Sequence, residues 1–154
     1  MKAVWAARQV LLSTPLRVHL CGAGYQGGQP VPGVDRGPEF VRQHDVTGSI
    51  ERLGWLLSDS GDLSFPTFDF DPPAYVPGGG RVRTPRAVGA ATHVLHDKVL
   101  AHASQGEFCL TIGGDHSLAI GTVSATAAAW GRENIRVLWI DAHADINTPV
   151  NLFI

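Results

Sequence analysis

Asp141, His143 and Asp145 stand two residues apart at the end of the apolar run "VLWIDAHADINTP", residues 137 to 149. In extended backbone, alternate side chains leave on the same side, so this D-x-H-x-D spacing can aim two carboxylates and an imidazole at one point. Three unpaired acceptors in a poorly hydrated pocket would repel one another, and a divalent cation removes that cost. A second chemical motif, "GGDHS" at residues 113 to 117, ends the preceding apolar stretch and offers Asp115 and His116. Asp115, at the start of a helical pattern, reads first as an N-cap, and His116 alone could be an interior histidine. Carboxylate and imidazole without thiolate exclude a cysteine-type structural zinc site. They suit Mn²⁺, Fe²⁺, Co²⁺ or a catalytic Zn²⁺, with oxygen-rich ligation leaning towards manganese. Such an ion lowers the pKa of a water molecule and supplies hydroxide at neutral pH, which implies a hydrolase.

The elements that must hold these motifs are legible around them. "LRVHLCGAGYQGGQPVPGVDRGP" reads as a short strand running into a glycine-rich loop, and "GPEFVRQH" opens a helix with Pro38 in its first turn. "GAGYQG" matches the dinucleotide pattern letter for letter. Pro30, Pro32 and Gly33 separate it from the helix, however, and no acidic residue follows at the usual distance, which argues against a nucleotide. Residues 48 to 83 are rich in turn residues and cannot be a continuous helix or strand. From Thr84 a helix is expected, with Thr84 as N-cap, Pro85 at its first position, apolar residues at Val88, Ala91, Leu95 and Val99, and Gly106 as stop. "EFCLTIGG" then reads as a strand, "DHSLAIGTVSATAAAW" as a helix and "IRVLWI" as an interior strand. Unalternating apolar strands separated by helices mean parallel pairing buried on both faces. The fold class is α/β, a doubly wound, mostly parallel sheet with helices on both faces, and ligands collect at the carboxyl ends of its strands.

Composition narrows the function further. The 154 residues are 44 % hydrophobic and 17 % charged, the profile of a globular domain. A net charge of −2 without basic clusters excludes a nucleic-acid partner, and no apolar run reaches the ~20 residues needed to cross a membrane. Cys21 and Cys109, each inside an apolar stretch, fit reduced thiols. Residues 1 to 17 carry Lys2, Arg8 and Arg17, while the first carboxylate of the chain is Asp35. That is the bias of a mitochondrial transit peptide; an untargeted terminus, and hence a cytoplasmic protein, is the alternative.

"GGDHSLAIGT" and "DAHADINTP" resemble the first two metal motifs of the arginase family of ureohydrolases, and "GQPVPGVDRGP", "GDLSF" and "TPRAVG" match the family's earlier segments in order. The resemblance runs from about residue 18 to residue 149, "DINTP" favours arginase over agmatinase, and "GDLSF" with the basic leader is most like the mitochondrial type II form. It implies hydrolysis of L-arginine to L-ornithine and urea by a hydroxide bridging two Mn²⁺ ions. His116 and Asp145 would bind one ion and His143 the other, and Asp141 would bridge both. Asp145 would also accept a hydrogen bond from the hydroxide, and Asn147 would contact the α-carboxylate of the substrate. The family is typically homotrimeric. Residues 150 to 154, "VNLFI", depart from the pattern where the family continues with a substrate loop, a proton-shuttling histidine and a second pair of metal-binding aspartates. Four protein ligands cannot satisfy two ions that each take about five or six donors. The sequence therefore reads as an N-terminal half, expected to be inactive alone and to leave Val137, Leu138, Trp139 and Ile140 exposed, with a non-catalytic isoform that associates with other chains as the alternative.

Overall fold

The computed structural model describes residues 15–76 and 80–143. Strand β1 (Arg17–Ala23) lies at the centre of a three-stranded parallel sheet, between β2 (Leu56–Asp62) and β5 (Phe108–Gly113). Two further short strands, β3 (Ala74–Val76) and β4 (Gly80–Val82), form a separate antiparallel pair. A central parallel strand needs apolar residues on both faces, and β1 is buried from Val18 to Ala23. On one face Val18 and Leu20 pack with Ile50 of helix α2 (Val46–Arg52), which follows helix α1 (Gly37–Gln43). On the other, Cys21 and Ala23 pack with Leu95 and Val99 of α3 (Pro85–Ala103) and with Leu118 and Ala125. Ala125 belongs to α4 (Ala119–Trp130), which crosses α3 at Gly121, where an added Cβ would come within 2.6 Å of the Thr92 carbonyl oxygen. Both cysteines are free thiols.

Helices on both faces of a parallel sheet bear out the α/β, doubly wound expectation. Two local expectations need correction. Thr84 does not cap α3: its hydroxyl donates instead to the Gly27 carbonyl at 2.7 Å, while the Asp71 carboxylate accepts from the N–H groups of Arg86 and Ala87. A capping acceptor reached the helix from a distant loop, so the local hydroxyl was released to tie down the glycine-rich turn. Within the turn-rich span, β2 forms despite its polar sequence "LLSDSGD", because it is a largely exposed edge strand that needs an apolar partner on one side only. Finally, "IRVLWI" is not a strand. Residues 135–140 have no regular structure, and Val137, Leu138, Trp139 and Ile140 are 56 %, 86 %, 40 % and 89 % exposed. Among the described residues no strand pairs with this segment, so strand formation would bury little of its apolar surface.

Candidate metal-binding edge

The glycines at the carboxyl end of β5 let two loops approach closely. An added Cβ at Gly114 would collide with the Tyr25 carbonyl oxygen, and that oxygen accepts from the Asp115 N–H at 2.7 Å. Asp115, 7 % exposed, then accepts from the Gly28 N–H at 2.7 Å and from the Ser117 N–H at 2.9 Å, and the Ser117 hydroxyl donates to it as well. Its reading as a cap is borne out, with an addition: the same carboxylate clamps the glycine-rich loop after β1 to the turn after β5. That turn continues into a short 3₁₀ helix (His116–Leu118), so the residue directly after the clamp is His116.

From there the structure brings together three of the candidate ligands. His116 Nδ1 lies 3.6 Å from one oxygen of Asp141, and His143 Nδ1 lies 3.6 Å from the other. Donors at about 2.1 Å from a common ion sit roughly 3–3.4 Å apart, so a small inward movement of each imidazole would complete such an arrangement. The Asp141 carboxyl is held below its ordinary pKa by the His143 backbone N–H, which donates to it at 2.8 Å, and by the neighbouring imidazoles. It therefore presents two charged oxygens. The His116 ring stacks on Trp139, centroids 5.0 Å apart, which gives an exposed apolar side chain of the 135–140 segment a place against the site. Asp145 and Asn147 lie outside the described residues.

At the carboxyl ends of β1 and β2, a groove of about 430 Å³ is lined by Tyr25, Asp35, Phe65, Phe68 and Thr84 among others. Sequence reasoning missed a further cluster of ligand-type side chains, His19, His102 and Glu107. It lies at the opposite end of the sheet, and no local spacing signals it, since β1, the end of α3 and the approach to β5 meet there only through the fold.

A parallel α/β sheet with imidazoles converging on a carboxylate beyond its strand ends defines the class, an α/β protein with a metal-type donor set at the ligand-binding edge. The chain belongs to the arginase family, whose pattern it matches over residues 16–152. It is 42 % identical to "Arginase-1" of Xenopus laevis over 132 residues, 86 % of this chain and 40 % of that protein. It is equally, 42 %, identical to "Arginase-2, mitochondrial" of Mus musculus over 141 residues, 92 % of this chain and 38 % of that one. The fold superposes on the arginase of Bacillus caldovelox with a TM-score of 0.75 at 32 % identity, covering 88 % of this chain and 44 % of that structure. The chain thus spans about two fifths of the length of the relatives it matches, and the type II form is no nearer than the type I form.

Proposed function

We propose that this chain supplies the first part of a binuclear manganese site that hydrolyses L-arginine to L-ornithine and urea. The observation that carries the reading is the convergence of His116 and His143 on the two oxygens of Asp141 at the carboxyl edge of a parallel sheet. The donor set fits: oxygen and imidazole donors, an ionised carboxylate with both oxygens available, and no thiolate. When bound, divalent ions at this edge would lower the pKa of a water molecule and supply hydroxide at neutral pH. The chain's own residues do the rest. His116 and Asp145 would hold one ion, His143 the other, and Asp141 both. Asp145 would also accept a hydrogen bond from the nucleophile and so orient it, and Asn147 would take the substrate α-carboxylate. Asp115 keeps the His116 turn against the glycine-rich loop, so that one ligand is positioned before any ion arrives. The further carboxylates that the resemblance implies belong to segments past the matched span.

A chimera tests this reading. Residues 16–149 placed ahead of the remaining length of the Xenopus relative should release urea from L-arginine in a manganese-dependent way, and Asp145→Ala should abolish it. A folded chimera that binds manganese but releases no urea would overturn the proposed activity.

A further inference from the structure

His19, His102 and Glu107 meet at the amino end of the sheet, away from the edge that carries His116 and Asp141. His19 is fully buried at 0 % exposure, and neither of its ring nitrogens has a hydrogen-bond partner among the described residues. A neutral imidazole carries one donor and one acceptor, and buried polar groups are almost always satisfied, so a buried ring with two idle nitrogens marks a place where a group belongs. Its neighbours are ligand types. The His102 ring stacks on His19 with centroids 3.3 Å apart, and its Nδ1 lies 2.7 Å from Glu107 Oε2. Glu107 is itself 6 % exposed, and its other oxygen accepts from the Arg17 guanidinium at 2.9 Å. One donor atom from each of the three residues lies within 4.8 Å of the other two.

We propose that His19, His102 and Glu107 form a second divalent-metal site, of zinc type and separate from the manganese edge. Two imidazoles and one carboxylate are a known zinc donor set with a fourth position left for water, and borderline-soft imidazole disfavours magnesium and calcium. Burial pushes the His19 pKa down, which keeps its lone pair free for a metal. Drawing the donors in from 4.8 Å requires the two rings to tilt out of their stack. His102, in the last turn of α3 and the most exposed of the three side chains, can turn, and it gives an ion a path from solvent. Arg17 then serves as the outer partner that orients the Glu107 carboxylate.

The test uses the whole 154-residue chain with the other edge silenced by His116→Ala, Asp141→Ala, His143→Ala and Asp145→Ala. Equilibrium dialysis against Zn²⁺ should find one ion per chain, and Co²⁺ should show the intense visible bands of a four-coordinate site. His19→Leu and His102→Gln should each weaken zinc by more than the roughly 10- to 100-fold typical of losing an outer partner. Circular dichroism of each variant must match the parent; His102→Gln, at the more exposed position, is the informative one if His19→Leu does not fold. No zinc uptake by the silenced chain overturns the proposal. So does zinc that survives His102→Gln but leaves with His96→Ala, which would place it on the His93 and His96 pair instead.

Discussion

Replacing Asp115 tests whether one buried carboxylate holds the His116 turn in place. In Asp115→Ala the Gly28 and Ser117 N–H groups, now bonded at 2.7 Å and 2.9 Å, both lose their acceptor. Loss of the cap at Ser117 costs about 0.5–2 kcal/mol. The Gly28 N–H belongs to an exposed residue and can turn to water, so losing its hydrogen bond adds about 0.5–1.5 kcal/mol. Together they remove about 2 kcal/mol from a stability that for such a domain is about 5–15 kcal/mol. Asp115→Asn should cost less, about 1 kcal/mol, because one amide oxygen can still cap while the amide nitrogen faces the Gly28 N–H. Urea unfolding followed by tryptophan fluorescence reads both variants. With a slope of about 2 kcal/mol/M, the midpoint should fall by about 1 M for the alanine variant and by roughly half that for asparagine. Equal midpoints for parent and Asp115→Ala would show that the clamp between the two loops contributes nothing, and with it the account of how His116 is positioned.

Two other outcomes follow from the same reasoning. Arg42 donates to both oxygens of Asp59, and this partly exposed pair holds the Asp59 pKa below its ordinary value. Stability from the pair is therefore fully present above the ordinary carboxylate range and lost as pH falls through the depressed pKa. Asp59→Asn should cost about 1 kcal/mol at pH 7 and progressively less as pH falls below the ordinary carboxylate range by urea unfolding, and a cost independent of pH would contradict the assignment. The acid-free leader should direct residues 1 to 25, fused ahead of a fluorescent protein, into mitochondria, and Lys2→Glu with Arg8→Glu should block entry; cytosolic fluorescence from the unmodified fusion would reject the mitochondrial reading.

The parts of the fold legible in the sequence were those built by unbroken apolar pattern. β1, α3 and β5 stand close to their expected places because Val18, Leu20, Leu95 and Val99 must be buried wherever the chain runs. The nearness of Asp141 and His143 was legible in their spacing, although the structure brings them together through a bend rather than the extended backbone expected. What was hidden depended on partners far along the chain. Asp71 displaced Thr84 as a cap, and β2 is held by β1 rather than by its own polar sequence. The His19 cluster has no sequence spacing at all. "IRVLWI" was misread for the complementary reason: its composition suits an interior strand, but a strand forms only where neighbours pair with it and cover it.

Titration of the 154-residue chain with Mn²⁺, followed by electron paramagnetic resonance, tests the central claim most directly. If His116, Asp141 and His143 form the first part of the site, the chain binds one Mn²⁺ weakly and a second scarcely at all, and Asp141→Ala removes the first. Two tight, spin-coupled ions in the monomer, or manganese binding unchanged by Asp141→Ala, would contradict it.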